Sequence, residues 1–227
     1  MKNNSLKLFL IIFILFLNNP SLGNDFIFDT EKINIIDEGK TTIAENGTAY
    51  FTNENLEING DKFKYDSEKK ILEVLNANSM SKNDNIRIEA KKIIFNRNSS
   101  TIVAKGDVKL NDLNNNSTIF SEELIYNNKL KKIISNTNAK FLDNSKNNFF
   151  TESFNYNLNT KIAKINSLKL VDNKKNKYFL EKSFLNTKSK KLVGKDVFVD
   201  LDNALSAENN FRIKSLSIEK EPNKTIL

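Results

Sequence analysis

Cysteine, histidine and tryptophan are all absent from the 227 residues of this chain. Without cysteine there is no disulfide, no thiolate metal site and no cysteine nucleophile. Without histidine there is no imidazole base, the usual zinc sites lose their main ligand, and a Ser-His-Asp triad cannot be built. Any catalysis would rest on carboxylate or Ser/Lys pairs. Neighbouring acids such as Glu122 and Glu123 point to opposite faces of a strand and make no acid/base pair. Proline (2) and glycine (6) are also scarce, so the turns do not follow the glycine-punctuated pattern of a tight barrel. These absences point away from an enzyme and give no place for a metal or cofactor.

The amino terminus has its own composition. Lys2 and Lys7 precede an unbroken apolar run, Leu8 to Leu17, which Asn18, Asn19 and Pro20 end; Ser21-Leu22-Gly23 then offers small residues for cleavage. Residues 1–23 therefore read as a signal peptide and residues 24–227 as the exported domain. The run is short for a permanent anchor, and no later segment is apolar enough to cross a bilayer as a helix. The net charge is +7, and removing Lys2 and Lys7 from the 35 basic residues leaves 33 against 28 acids. That mild excess is spread along the chain and lacks the clustering expected of a nucleic-acid footprint, so no nucleic-acid partner is expected.

Beyond Gly23 the dominant signal is a repeat. An aromatic residue followed by an acid or amide recurs as Tyr65-Asp66, Phe95-Asn96, Tyr126-Asn127 and Tyr156-Asn157, at spacings of 30, 31 and 30. A degraded copy, Leu185-Asn186, follows 29 residues later, and Phe28-Asp29 resembles an early divergent one. Five residues before each aromatic stands a small residue (Gly60, Ala90, Ser121, Thr151), and two before it an apolar one (Phe63, Ile93, Leu124, Phe154). Two before the small residue comes another apolar position (Ile58, Ile88, Ile119, Phe149). Alternating runs such as Ile102, Ala104, Gly106, Val108, Leu110 lie between Asn- and Asp-rich turns. In the fourth copy the same alternation reads Ile162, Lys164, Asn166, Leu168, Leu170. Each repeat is thus strand, polar turn, strand, polar turn. The step from Ile88 to Ala90 is two, but the step from Ala90 to Ile93 is three, which flips the facing; a bulge or corner is expected at the small-residue column.

The fold class that follows is all-β: an elongated, slightly twisted open jellyroll of tandem repeats of about 30 residues, each burying its apolar face against its neighbours. Two sheets stacked along one axis would enclose an apolar interior. Gaping along one edge would make that interior a groove for acyl chains. The candidate lining residues are Ile58, Phe63, Tyr65, Ile88, Ile93, Phe95, Ile119, Leu124, Tyr126, Phe149, Phe154 and Tyr156. The same columns equally suit a closed core, as in a structural surface repeat or adhesin. An enzyme on a parallel β-helix would need charged groups aligned on one face, and the repeat has none. Lys129, Lys131, Lys132 and Lys174, Lys175, Lys177 fall in or beside turns, where they read as solvated residues or as contacts for lipid phosphates.

At Leu56-Glu-Ile-Asn-Gly-Asp-Lys-Phe-Lys-Tyr-Asp66, and at Ile86 to Asn96 followed by Ile102 to Leu110, the sequence resembles the OstA-like repeat of the lipopolysaccharide-transport (Lpt) family, over roughly Phe26 to Lys220. The resemblance implies a periplasmic antiparallel jellyroll, open as a groove, that shields lipid A acyl chains. It implies lipopolysaccharide as cargo and other Lpt proteins as partners docked edge to edge, since an open stack leaves unpaired edge strands. Two branches compete: a stand-alone LptA-like bridge, and the amino-terminal domain of an LptD-like translocon, which would add an outer-membrane lipoprotein partner. Ala207 to Lys214 resembles the stretch closing the LptD-like domain, and the chain stops at Leu227 in a strand-like run, so an LptD-like protein, short or truncated, is expected. The barrel and the linking cysteines of that branch are absent here.

Overall fold

The structure is a computed structural model that describes residues 26–201, 211–222 and 224–227. The expected leader lies outside the described residues, as do Ala207 to Asn210 of the closing stretch. Sixteen strands follow one another: β1 (Ile27–Ile36), β2 (Thr41–Phe51), β3 (Leu56–Asp66), β4 (Ile71–Ser81), β5 (Ile86–Asn96), β6 (Thr101–Asp112), β7 (Ser117–Asn127), β8 (Lys132–Ser135), β9 (Ala139–Leu142), β10 (Asn148–Thr151), β11 (Ser153–Asn157), β12 (Ile162–Val171), β13 (Lys177–Asn186), β14 (Lys191–Leu201), β15 (Phe211–Glu221) and β16 (Lys224–Ile226). They form one antiparallel sheet in which β8 and β9 are two halves of one interrupted strand, and β10 and β11 of the next. The two sheets expected from the repeat are the two arms of this single sheet, folded over on itself.

The fold line runs through the middle of the strands. Along β3 the inward residues are Leu56, Ile58 and Gly60, then Phe63 and Tyr65; the three-residue step at Gly60 turns the second arm back over the first. The same step takes Ile88 and Ala90 to Ile93 in β5, where the register slips between Glu89 and Lys92. In β6 it slips again between Lys105 and Val108. The two strands after β7 break outright, at 136–138 and at Glu152. The corners carry left-handed residues, Asn46, Asn76, Asp107, Ser167 and Asp196, with φ between 49° and 55°. Small polar side chains tolerate that conformation best. The small-residue column therefore marks the corner, as its odd spacing implies.

The aromatic-acid/amide pair has a division of labour. The aromatic enters the interior, and the acid or amide caps the next turn. Asp66 Oδ1 accepts the amides of Glu68 and Lys69 at 3.1 and 2.9 Å, and Asn157 Oδ1 those of Asn159 and Thr160 at 2.9 and 3.0 Å. Asn186 Oδ1 accepts those of Lys188 and Ser189, both at 3.0 Å. A second row of turns on the opposite arm uses Asp112, Asp143 and Asp172 in the same way. Side-chain amides also link turn to turn: Asn55 Nδ2 donates to Asn83 Oδ1 and Asn85 Nδ2 to Asn114 Oδ1, each at 2.9 Å. The asparagine-rich turns are thus part of the stacking contact between repeats.

The fourth copy departs from the alternation read in the sequence. In β12 the inward residues are Ala163 and Ile165, then Leu168 and Leu170, while Ile162, Lys164 and Asn166 face solvent. The corner at Ser167 shifts the phase, so a single unbroken alternation put the first three on the wrong face.

Gly60 is one of the tight points of the fold. A Cβ there would stand 2.3 Å from Val74 Cγ1 and 2.9 Å from the Leu75 carbonyl oxygen. Gly60→Val should cost about 1–3 kcal/mol through overpacking. A urea unfolding midpoint equal to wild type would contradict the corner geometry.

Candidate functional site

The interior differs between the two ends of the sheet. In the amino-terminal half it is filled by rings. Phe26 lies 5.5 Å from Phe51, 5.0 Å from Tyr65 and 5.9 Å from Phe95, and Phe51 lies 5.5 Å from Phe95. Such tilted and edge-on pairs fill volume efficiently and add to the burial term. Ile58, Leu72, Val74, Ile93 and Leu124 close the remaining space at 0% exposure.

The seam between the two rows of turns is also shut in this half. Lys131 Nζ lies 2.8 Å from both carboxylate oxygens of Asp84 and 2.8 Å from Asn128 Oδ1. The Tyr126 hydroxyl donates to Asp84 and lies 3.1 Å from Ser81 Oγ. Ser100 Oγ donates to Glu54, whose other oxygen accepts Asn128 Nδ2 at 2.8 Å. Asp84 and Glu54 belong to one row of turns and Ser100, Asn128 and Lys131 to the other, so this network latches arm to arm. Burial, reinforced by the nearby carboxylate of Asp84, holds the Tyr126 phenol far above the ordinary tyrosine range, so it is a permanent donor.

Past β6 the interior opens. A cavity of about 700 Å³ runs between the arms, with Phe149, Leu168 and Leu170 on one wall and Phe154, Ala163 and Ile165 on the other. The repeat equivalents of Phe63 and Tyr65, Phe154 and Tyr156, stand on the wall here, but their cross-strand partners Ile165 and Ala163, and Leu185 beyond, are not rings, so the middle is left empty. The volume falls in the range of about 300–1,000 Å³ common to small-molecule sites, and the lining is apolar with a polar rim. Asn114, Asp143, Lys174, Lys188 and Lys224 stand on that rim.

Two lysines bridge the mouth. Lys190 Nζ reaches Asn144 Oδ1 at 2.8 Å and Ser145 Oγ at 2.5 Å, from one row of turns to the other. Lys220 lies over the Tyr178 ring at 4.8 Å and 3.9 Å from Asp172 Oδ2. Burial lowers the Lys220 pKa, opposed by Asp172 and helped by Lys174. Burial, then Asp172, pushes the Tyr178 phenol up to about 12. Where the amino-terminal seam is fastened by an ion pair, the Lys190 crossing rests on neutral acceptors.

All twelve groove-lining residues expected from the sequence are on the inward face, but the cavity gathers only four of them. Ile119, Phe149, Phe154 and Tyr156 border it. Ile58, Phe63, Tyr65, Ile88, Ile93, Phe95, Leu124 and Tyr126 sit in the filled half, none above 5% exposure. Ile165, Leu168, Leu170, Tyr178 and Lys190 were not among the expected lining residues; the phase shift in β12 hid Ile165, whereas Leu168 and Leu170 stood in the alternation read there. Of the turn lysines, Lys131 is a seam partner and not merely solvated, and Lys174 stands at the cavity rim. Among the described residues no cluster of acids is arranged to hold a metal ion, and no helix is long and apolar enough to cross a membrane.

Fold and site together define a β-repeat protein with a hollow interior at one end. The family model described as "OstA-like protein" matches residues 54–208, more than half of the chain, and the chain belongs to that family. A comparison with curated protein sequences gave no match. Among solved structures the chain is similar to LptH of Pseudomonas aeruginosa, described as the LptA-homologous periplasmic component of the conserved lipopolysaccharide transport device. The identity is 11%, over 59% of this chain and 96% of that one, with a TM-score of 0.43.

Two outcomes follow from the seam and the rim. Asp84→Ala removes the carboxylate partner of Lys131 and of the Tyr126 hydroxyl at a largely buried site and should cost about 1–3 kcal/mol, with faster amide exchange in β3 to β7. Unchanged exchange there would remove the latch. The folded-state pKa of Tyr178 lies above its unfolded value. Its contribution to stability is therefore complete below pH 10 and is lost as pH climbs towards 12. Subtracting the alkaline tyrosinate titration of Tyr178→Phe from wild type should leave a component with a midpoint near 12. A midpoint near 10, the model-compound value, would show that the rim is open to water.

Proposed function

We propose that this chain is a periplasmic carrier segment for lipopolysaccharide, holding lipid acyl chains in the carboxy-terminal cavity and passing them along the folded sheet towards the outer membrane. The observation that carries this is an apolar cavity of about 700 Å³ between the arms, in a chain of the OstA-like family. Apolar chains need buried area and few directional contacts, which Phe149, Phe154, Ile165, Leu168 and Leu170 supply. Lipid A acyl chains would displace water from these walls, and the rim lysines 174, 188, 190 and 224 would meet its phosphates. Transfer would be passive exchange between similar apolar sites, without a cofactor and without catalysis.

The sheet ends favour a place in a longer path. Among the described residues β1 pairs only with β2, and β16 covers only Glu219 to Glu221 of β15, which leaves unpaired backbone groups at both ends of the sheet. Ile33, Ile35 and Leu216 are exposed on them. Other Lpt proteins would add strands at these edges. Residues 1–23 would serve as the export signal and 24–227 as the jellyroll domain. The finer assignment is the amino-terminal domain of an LptD-like protein with an outer-membrane lipoprotein partner, on the strength of Ala207 to Lys214; an LptA-like bridge is the alternative. Recovery of the lipoprotein with the tagged chain would favour the first, and recovery of inner-membrane transport components the second.

A photocrosslinking residue placed at Ile165 or Leu168 should label lipopolysaccharide in a producing host, while one at Ile58 or Phe63, in the filled half, should label it much less. Native mass spectrometry of the chain purified from that host should find bound lipid. No adduct from either cavity position, together with no bound lipid, would sink the carrier function and favour a closed structural repeat.

A further inference from the structure

The outer face of the sheet carries a feature that the cavity does not use. One cross-strand row can be followed from strand to strand by register: Lys109 pairs Phe120, Phe120 pairs Lys140, Lys140 pairs Phe150, and Phe150 pairs Lys169. Lys169 then pairs Phe179, Phe179 pairs Phe198, and Phe198 pairs Lys214. The inward neighbours of this row, Ile119, Phe149, Leu170 and Tyr178, line the cavity, so the row itself faces outward. Eight strands at about 4.8 Å apiece make it a line roughly 34 Å long.

Its composition is unusual for an outer face. Phe120 and Phe150 are each 38% exposed. Lys140 and Lys169 lie over the Phe150 ring at 5.6 and 5.9 Å, and Lys169 also lies 5.8 Å from the Phe179 ring, which is itself 5.8 Å from Phe198. No acid interrupts the row between Lys109 and Lys214. The next outward row on the same arm adds Leu142, Val171, Lys177 and Arg212 against a single acid, Asp200. The same row in the amino-terminal half reads Asp29, Thr48, Asn59, Asn78, Glu89, with neither ring nor cation. The pattern is therefore confined to the half that holds the cavity.

We propose that this Lys/Phe stripe is a docking surface for an anionic lipid bilayer. Phenyl rings have no hydrogen-bonding group to satisfy and gain by entering the acyl boundary. Flanking lysines reach past them to lipid phosphates, the combination that holds amphipathic surfaces at an interface. Lys140, Lys169 and Lys214 are complementary to anionic headgroups, each lysine near such a surface strengthening binding about fivefold. Docked in this way, the hollow half lies flat against the membrane with its mouth at the side. The proposal concerns the outer face alone and stands whatever the cavity carries.

Vesicle co-sedimentation tests it, using the chain recovered from the periplasm of an expressing host. Vesicles of phosphatidylglycerol and phosphatidylethanolamine should bind it, pure phosphatidylcholine should not, and salt should release it. The double variant Lys140→Gln/Lys169→Gln should bind roughly 25-fold more weakly, and Phe120→Ser/Phe150→Ser at least about tenfold more weakly. Both should keep the wild-type circular dichroism, since neither pair belongs to the core. All three proteins share one amino terminus, so anything it contributes cancels in the comparison. Equal binding to phosphatidylcholine, or variants that bind as wild type does, would overturn the proposal. So would lipid-independent self-association lost in the same variants, which would give the stripe to a second copy of this chain.

Discussion

The three-residue step in the middle of each strand is the constraint on which the molecule depends. A flat antiparallel sheet has two faces, and a chain this polar can bury only one of them. Folding the sheet along a line of corners lets that one face cover itself: the arm that ends at Gly60 and Ala90 lies over the arm that begins at Phe63 and Ile93. Everything inward then follows from position relative to the corner, and so does everything outward, including the Lys/Phe stripe. A strand without the odd step would carry its apolar residues from the core straight out to solvent.

Once the arms face each other, what separates filled from hollow is side-chain volume at equivalent columns. Phe26, Phe51, Tyr65 and Phe95 meet ring to ring, while Ala163, Ile165 and Leu185 leave space between walls of the same height. The ladder fixes the strand spacing within each arm, and the large wall residues on both arms, Phe149 and Leu170 against Phe154 and Ile165, keep the gap between them open. A hollow that cannot close either holds water against apolar walls or takes an apolar guest, and the second is favoured by about 25 cal/mol for each Å² removed from water.

Much of this was legible in the sequence, and the reasons for the rest are local. The repeat, its β-character, the corner at the small-residue column and the inward facing of the aromatic column all depend on nearest-neighbour geometry, which spacing encodes. The capping role of Asp66, Asn157 and Asn186 is of the same kind, though it was read only as turn composition. What escaped was long-range. Asp84 and Lys131 meet across 47 positions, and Lys190 and Asn144 across 46, because a turn on one arm faces a turn about one and a half repeats further on the other. No periodicity of a single strand contains that offset. The position of the hollow escaped for a simpler reason. Core and groove residues have the same facing, and only the summed volume of both arms distinguishes them.

That offset also orders the two halves energetically. In the amino-terminal half, separating the arms would expose the ring cluster and break the Asp84–Lys131 pair, whose side chains are 15% and 27% exposed. Burial of that kind makes a broken pair expensive, since one charge would remain poorly solvated. In the carboxy-terminal half, separation gives up the neutral bridge from Lys190 to Asn144 and Ser145 and the long contact from Lys220 to Asp172. The buried rings of this half, Phe149, Phe154, Tyr156 and Tyr178, already border the cavity. Local opening free energies follow such differences. The seam therefore yields first over the cavity, while the latched half holds the fold line in place. A rigid half that fixes register beside a half that parts at low cost gives one sheet both a permanent frame and an entrance.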